Sequence, residues 1–279
     1  MINKYPDGTS YAIVKNIEKN FITAKINNYE ELWHLNQYVD AYNHSCNKKP
    51  NILIPNLIDA QADRRFNSNE SSGLKLVCKF LNSMNANFKI FHPHNPEVVE
   101  ALIDNVKIID NDYFIKEVLN NLSEVGKSSI NWGKDLSNSL ILMSSDAGGF
   151  KPLMKLCDKI SWQGETASAS KYRECKDGKS ILTQLIAHND FRGKDILIID
   201  DICVYGGTFK GLSKMLKERN CGKLYLAVSH ITVQNHPQDN VFKYFDKVFT
   251  TNSKFDIYSS KDDLDDIIQP KNLEIIKMF

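Results

Sequence analysis

Short apolar segments alternate with amphipathic segments along most of this chain. The apolar segments predict strands, and they lie at residues 11–14, 51–54, 88–91, 140–143, 196–199, 223–228 and 247–250. Between several of them apolar residues recur at helical spacing, which predicts helices at about 29–41, 71–83, 96–103, 153–160 and 208–217. Strands that alternate with helices, with polar residues after most of the strands, are typical of a parallel α/β sheet.

Two segments interrupt this alternation. Residues 161–180 show no regular apolar period, which predicts a mobile surface loop. Residues 123–133 are rich in Ser, Gly and Asn and mark the candidate domain boundary. We therefore expect two domains, at 1–127 and 128–279.

The stretch at 195–210 carries the strongest indication of chemistry. Its strand leads into two adjacent carboxylates, Asp200 and Asp201, and then into Gly206-Gly207 at the start of a predicted helix. Ligands of parallel α/β sheets bind at the carboxyl ends of the strands. A glycine turn that enters a helix offers an anion backbone N–H groups and the positive end of the helix dipole. The two acids would then hold sugar hydroxyls or a divalent cation; the alternative is a buried strand that ends in two solvated acids and a turn.

The composition excludes several classes of protein. The 279 residues are 42% hydrophobic and 25% charged, and the net charge of +1 indicates neither a nucleic-acid partner nor a membrane partner. There is no run of 18 apolar residues, and the amino terminus lacks the apolar core of a signal peptide. The six cysteines form no C-x-x-C pair, so we expect free thiols, no zinc site and a cytoplasmic location.

The segment DILIIDDICVYGGTFK, at 195–210, resembles the ribose-binding loop of type I phosphoribosyltransferases and of ribose-phosphate pyrophosphokinases, the PRPP synthetases. The resemblance implies that Asp200 and Asp201 hold the ribose 2- and 3-hydroxyls. It also implies an α/β fold with two type I phosphoribosyltransferase-like domains, each a mainly parallel sheet flanked by helices. The loop that would cradle the 5-phosphate consists of Val204, Tyr205, Gly206, Gly207 and Thr208.

Two segments of the first half resemble the pyrophosphokinases in particular. DAQADRRFNSNESSGLK, at 59–75, is similar to a segment that phosphoribosyltransferases lack, and this implies ATP contacts from Gln61, Asp63 and Arg64. Where the family has an Arg-Gln pair, this chain has Gln-Ala. YPDG, at 5–8, resembles the family motif in which Tyr5 and Asp7 would meet the adenine of ATP bound to a neighbouring subunit.

Three further segments resemble the same family. In HPH, at 92–94, His94 matches a histidine near magnesium-bound ATP, and it would touch phosphate or metal-bound water. SSDAGG, at 144–149, is similar to the family's S-P-D-A-G-G, which implies that Asp146 holds Mg²⁺ through oxygen, as this ion prefers. KYR, at 171–173, matches a Lys-x-Arg pair on a closing loop, which makes Lys171 and Arg173 the candidate catalytic residues that stabilise charge on phosphoryl oxygens.

The resemblance implies a Mg²⁺-dependent diphosphotransferase. It would transfer the β,γ-pyrophosphate of ATP to the 1-hydroxyl of a 5-phosphorylated ribose and release AMP, in nucleotide biosynthesis. The implied partners are ATP, the sugar and further copies of the chain in a homo-oligomer, with no nucleic acid and no membrane. Two alternatives stay open: a phosphoribosyltransferase, which consumes an activated ribose, and an inactive regulatory subunit.

The ribose loop itself departs from the family pattern. Where most pyrophosphokinases have Asp-Thr, this chain has Val204-Tyr205. An acid and a hydroxyl are lost and an aromatic ring is added beside the 5-substituent of the sugar. A ring suits a larger substituent that ends in a base. This motivates the hypothesis that the acceptor is ADP-ribose rather than ribose 5-phosphate, as in a phage branch of the family that serves NAD salvage in the host cytoplasm.

Overall fold

The computed structural model describes residues 1–15, 21–123, 132–176, 179–232, 241–254 and 270–279, without the side chains of 132–135 and 171–185. The chain divides into two compact units. The first unit is Met1–Asp110 together with Phe279, and the second is Asn111–Met278.

The first unit contains a small hairpin and a four-stranded sheet. Strands β1 and β2 pair in antiparallel fashion, and strands β3 to β6 form a parallel sheet in the order β3-β4-β5-β6. Its strands are β1 (Ile2–Lys4), β2 (Ser10–Ala12), β3 (Phe21–Thr23), β4 (Asn51–Ile54), β5 (Asn87–Phe91) and β6 (Val106–Ile109). Its helices are α1 (Tyr29–Cys46), α2 (Gly73–Asn82) and α3 (Pro96–Leu102).

Helix α1 illustrates how the sequence pattern produces this unit. Asn28 caps the helix by accepting a hydrogen bond from the backbone N–H of Glu31 at 2.8 Å, which satisfies one of the free N–H groups of the first turn. Leu32, Leu35 and Val39 follow at helical spacing and are buried in one apolar cluster with the sheet. The predicted helix therefore forms because its apolar stripe covers the strands.

The second unit contains a seven-stranded sheet in the order β13-β12-β11-β10-β7-β8-β9, in which only β9 runs antiparallel to its neighbour among the described strands. Its strands are β7 (Leu140–Ser144), β8 (Thr166–Lys176), β9 (Lys179–Ile186), β10 (Asp195–Cys203), β11 (Leu224–Ile231), β12 (Lys247–Thr251) and β13 (Leu273–Ile276). Its helices are α4 (Asp112–Leu122), α5 (Trp132–Ser139), α6 (Phe150–Ile160) and α7 (Gly207–Lys217).

Strand β10 lies at the centre of the second unit and is buried on both faces. Ile196 and Ile198 belong to the apolar cluster on one side, and Leu197 and Ile199 belong to the cluster on the other. This accounts for the unbroken apolar run, because a central parallel strand covered on both faces has no polar side. In register, Ile199 of β10 pairs with Ser144 of β7, so the carboxyl end of β7 lies beside the residue of β10 that precedes Asp200.

The loop predicted at 161–180 is wrong for most of its length, because β8 and β9 form an antiparallel hairpin across it. The apolar signal of β8 was weak because its inward residues are small. Ala167 and Ala169 are buried, while Ser168 and Ser170, which alternate with them, are more exposed. Strand β8 thus alternates with a period of two, as a half-buried strand does, but with alanine as the apolar residue.

The predicted domain boundary falls largely outside the described residues, at 124–131. Helix α4 precedes it and packs into the second unit, where Phe114, Val118 and Leu119 join the cluster around β7. A division of function after residue 127 stays a prediction.

The five cysteines whose side chains are described form no disulfide. Among the described helices none combines the length and the apolar character that crossing a membrane requires.

Candidate active site

Two adjacent acids lie near the carboxyl end of β10. The strand continues through both of them to Cys203. Asp200 and Asp201 are therefore part of the strand, whereas the sequence pattern placed them directly after it. The Oδ1 atom of Asp200 accepts a hydrogen bond from the backbone N–H of Asp201 at 2.9 Å. Its Oδ2 atom accepts a hydrogen bond from the hydroxyl of Ser145, which lies one residue beyond β7. Both oxygens of one candidate ribose-binding acid are therefore held by the protein.

The acid pair is electrostatically strained. Burial, followed by the neighbouring charge of Asp201, raises the pKa of Asp200 from 3.8 to about 7, while the Ser145 hydroxyl acts in the opposite direction. A carboxylate removed from water next to a second carboxylate is costly to ionise. Hydroxyl donors or a cation placed on this pair would therefore stabilise its fully charged form.

The loop after β7 presents the candidate metal ligand, Asp146. Its Oδ1 atom accepts a hydrogen bond from the backbone N–H of Gly149 at 3.0 Å, and its backbone carbonyl accepts one from the Ser144 hydroxyl at 2.9 Å. Ser168 of β8 also donates to that carbonyl, at 3.3 Å. The loop is thus fixed from both sides, with the carboxylate of Asp146 partly exposed.

A glycine turn follows the acid pair and opens helix α7. Gly206 is the N-cap residue with φ of 75°, a left-handed conformation, and a Cβ atom there would lie 2.8 Å from the Cβ of Val241. Only glycine fits such a position without strain. Because glycine has no side chain, it cannot cap the first-turn N–H groups from Gly207 onward, which suits an anion. Tyr205, just before the turn, is 72% exposed, whereas Val204 is partly buried.

In the first unit the structure brings the 59–75 segment next to the end of β5. Asn95, the N-cap of α3, donates from Nδ2 to Oδ2 of Asp63 at 3.3 Å. His94 is its neighbour in the chain and is exposed, as are Gln61 and Arg64. Gln61, Asp63, Arg64 and His94, four predicted ATP-binding residues, thus belong to two segments that meet in one polar contact at the carboxyl end of the first sheet.

The other two predicted ATP contacts lie on the β1–β2 hairpin. Tyr5 is 53% exposed, and its ring centroid is 4.5 Å from that of Tyr11. One carboxylate oxygen of Asp7 is held by its own turn, since Oδ1 accepts hydrogen bonds from the N–H and the hydroxyl of Thr9 at 2.9 and 2.7 Å. These bonds lower the pKa of Asp7. Tyr5 is thus available for stacking, while Asp7 stabilises the hairpin.

The candidate catalytic pair lies on β8 rather than on a loop. Lys171 pairs in register with Gln184, and Arg173 pairs with Leu182, on the antiparallel neighbour β9. The side chains of both lie outside the described residues, so their role stays a prediction.

The carboxylates of the candidate site suit a metal ion that is bound together with a substrate phosphate. Across the described ranges no group of three or more His, Cys, Asp and Glu side chains could hold a metal ion by itself. Mg²⁺ is commonly held by one or two carboxylates plus substrate phosphates and water. The carboxylates of Asp146, Asp200 and Asp201 are hard oxygen donors of this kind.

Sequence analysis missed Ser145, whose contact depends on the alignment of β7 with β10. It also missed a buried network at the ends of β11 and β12. There the hydroxyl of Ser253 donates to the carbonyl of Ser229 at 3.2 Å and lies 2.8 Å from Nδ1 of His230. Thr251 also donates to the Ser229 carbonyl, at 2.7 Å.

Comparison with curated proteins finds similar chains along most of the length. The chain is 22% identical over 255 residues to "Ribose-phosphate pyrophosphokinase" of Pyrococcus abyssi, covering 90% of this chain and 83% of that protein. It is 22% identical over 233 residues to the protein of the same name from Saccharolobus solfataricus, covering 81% and 74% of the two chains. The resemblance to the pyrophosphokinases that the motifs predicted is confirmed.

Two further comparisons concern the fold. The crystal structure of phosphoribosylpyrophosphate synthetase from Mycobacterium smegmatis aligns with a TM-score of 0.72 and 15% identity, covering 99% of this chain and 85% of that one. The predicted α/β class, with parallel sheets flanked by helices, is confirmed. The model of the phosphoribosyl transferase domain matches residues 93–264, which include both strand ends of the candidate site. The chain therefore belongs to the phosphoribosyl transferase domain family.

Proposed function

We propose that this protein is a pyrophosphokinase that transfers the β,γ-pyrophosphate of ATP to the 1-hydroxyl of a ribose carrying a 5-phosphoryl group. The observation that carries the proposal is the partly buried acid pair of β10, which is soon followed by the glycine turn into α7. The similar pyrophosphokinase from Pyrococcus abyssi covers 90% of this chain and hence residues of both compact units, which supports this class over a transferase confined to one domain.

In this proposal the second unit binds the sugar. Asp200 and Asp201 accept hydrogen bonds from the ribose 2- and 3-hydroxyls, and these donors offset the cost of ionising the pair. The N–H groups of Gly207 and Thr208, at the amino end of α7, bind the 5-phosphoryl oxygens. One surface thus recognises the two ends of a ribose phosphate.

The reaction needs positioning and charge stabilisation rather than a covalent intermediate. The 1-hydroxyl oxygen of the sugar attacks the β-phosphorus of ATP, the bond from that phosphorus to the oxygen shared with the α-phosphorus breaks, AMP leaves, and the hydroxyl proton passes to solvent. Mg²⁺ bound with ATP would neutralise phosphate charge, with Asp146 as a carboxylate ligand. Lys171 and Arg173 would stabilise the charge on the phosphoryl oxygens, by resemblance to the family.

The first unit binds ATP in this proposal. The hydrogen bond between Asn95 and Asp63 supports it, because it orders the segment that pyrophosphokinases use for ATP beside the histidine at the end of β5. We assign ATP phosphate contacts to Gln61, Asp63, Arg64 and His94, and contacts with the adenine to Tyr5 and Asp7. ATP and sugar phosphates are cytoplasmic metabolites, so we place the reaction there, and a homo-oligomer stays a prediction.

The acceptor is either ribose 5-phosphate, as in the family, or ADP-ribose. The exposure of the Tyr205 side chain, at 72%, favours ADP-ribose, because an exposed ring beside the 5-phosphoryl site offers a stacking surface for a base. Ribose 5-phosphate has no group that could use this ring.

A paired assay tests the proposal. ATP and Mg²⁺ are incubated with ribose 5-phosphate in one sample and with ADP-ribose in the other, and AMP is measured by chromatography. We expect AMP with at least one acceptor and a loss of at least a hundredfold in the Asp201→Asn variant. AMP only with ADP-ribose, together with a selective defect of Tyr205→Ala, would assign the larger acceptor. If no AMP is formed with either acceptor, the assignment as a pyrophosphokinase is refuted, and a phosphoribosyltransferase or a regulatory subunit is favoured.

A further inference from the structure

Ser145 occupies an unusual place between the two loops of the site. Its side chain is buried, with 2% of its surface exposed, and it lies directly after β7 and before Asp146. Its hydroxyl donates to Oδ2 of Asp200, on the neighbouring strand β10. Among the described residues, Asp200 is thus the acceptor for the single hydroxyl hydrogen of Ser145.

The bond fixes the direction of the Asp200 carboxylate. Oδ1 is held by the backbone N–H of Asp201 at 2.9 Å, and Oδ2 is held by Ser145. With both oxygens held, the carboxylate cannot rotate about χ2 without losing a hydrogen bond. Each carboxylate oxygen can accept a second hydrogen bond, so the remaining acceptor positions point in fixed directions.

We propose that Ser145 is a positioning residue that orients Asp200 to receive a ribose hydroxyl. The inference rests on the proposed function, since it assigns Asp200 to the acceptor sugar. It goes beyond the motif resemblance, because the similar family motif has a proline where this chain has Ser145. Proline has no hydroxyl, so this chain holds its acid in a way that the motif does not imply.

The expected effect is selective for the acceptor. Without the hydroxyl, Asp200 keeps the backbone donor but gains rotational freedom and loses a donor to its charged form. Loss of a hydrogen bond to a charged group corresponds to about a 10- to 100-fold change in an equilibrium constant. We expect an increase of that size in KM for the acceptor sugar in Ser145→Ala, with less than a threefold change in KM for ATP.

The test compares three variants in the intact protein. Ser145→Ala removes the hydroxyl, Ser145→Thr keeps one, and Ser213→Ala removes an equally buried hydroxyl that donates to the Lys210 carbonyl within α7. KM for each substrate, kcat and Tm are measured for each. The proposal expects the selective defect in Ser145→Ala, at least partial recovery in Ser145→Thr and unchanged kinetics in Ser213→Ala.

Two results would overturn the proposal. One is an unchanged acceptor KM in Ser145→Ala; the other is an equal loss for both substrates that follows a fall in Tm, which would indicate a structural role alone. If the wild type releases no AMP with either acceptor, the proposed function fails first. The crystal structure of Ser145→Ala then decides the positioning role: a rotated Asp200 carboxylate supports it, and an unmoved carboxylate refutes it.

Discussion

Replacement of Asp200 by asparagine should stabilise the fold while removing acceptor binding. The folded protein raises the pKa of this carboxyl from 3.8 to about 7, chiefly by burial and then by the charge of Asp201. At about 1.4 kcal/mol per pH unit, this corresponds to roughly 4 kcal/mol as an upper limit for the cost of ionising the group. Because the two acids titrate as a coupled pair, only part of this cost falls on Asp200. We therefore expect Asp200→Asn to increase the free energy of unfolding by about 1–3 kcal/mol.

The sign of the pH dependence follows from linkage. Between about pH 4 and pH 7 the folded protein binds a proton at Asp200 that the unfolded chain does not, so the contribution of this group to stability falls as the pH rises. The advantage of Asp200→Asn should therefore be absent below about pH 4, increase up to about pH 7 and stay constant above it.

Thermal and urea unfolding of the wild type and Asp200→Asn at pH 5, 6, 7 and 8 provide the measurement. At pH 8 we expect Tm to rise by about 3–10 °C in the variant, with a smaller rise at pH 5. Asp158→Asn, which neutralises an exposed carboxyl on α6, is the matched control and should change little. A variant that is less stable than the wild type at pH 8, or a difference independent of pH, would refute the assignment of strain to this pair.

Four further predictions follow from the same structure. KM for the acceptor sugar should rise about fivefold as the pH falls from 7 to 6, because Asp200 gains a proton; a flat profile would exclude this acid as the acceptor contact. Gly206→Ala should lower stability by about 1–3 kcal/mol through its left-handed φ and its contact with a neighbouring valine, whereas Gly207→Ala, with open space, should lower it less, as unfolding in urea would show. Lys171→Ala should reduce turnover at least a hundredfold with little change in Tm, and near-normal turnover would remove its assigned role. Ser253→Ala should cost about 1–2 kcal/mol because it breaks the buried hydrogen bond with the histidine of β11, and an unchanged Tm would contradict that.

The sequence predicted correctly those elements whose structure is determined by their own local residues. Strand β4 forms at the predicted residues, because its apolar run is bounded by a polar residue and a proline. Helix α1 forms where Leu32, Leu35 and Val39 recur at helical spacing. The glycine turn and the helix that follows it were also predicted correctly, because Gly206 adopts a left-handed conformation that depends on its own backbone.

Features that depend on pairing between distant segments could not be read locally. Strand β10 continues past its acids because Ile202 and Cys203 pair with residues of β11. The β8–β9 hairpin was missed because alanine gives little apolar signal, although it is buried in the core. Ser145 contacts Asp200 only because the last residue of β7 pairs with Ile199 of β10, and register between strands is set by tertiary packing.

The products formed from ATP reveal which group this protein transfers. Phosphorus NMR of the wild-type protein with ATP, Mg²⁺ and each acceptor distinguishes transfer of a pyrophosphoryl group from transfer of a single phosphoryl group. If the protein is a pyrophosphokinase, AMP and a sugar 1-pyrophosphate appear in equal amounts, with both phosphorus atoms of the new group derived from ATP. ADP with a sugar monophosphate, or unchanged ATP with both acceptors, would contradict it.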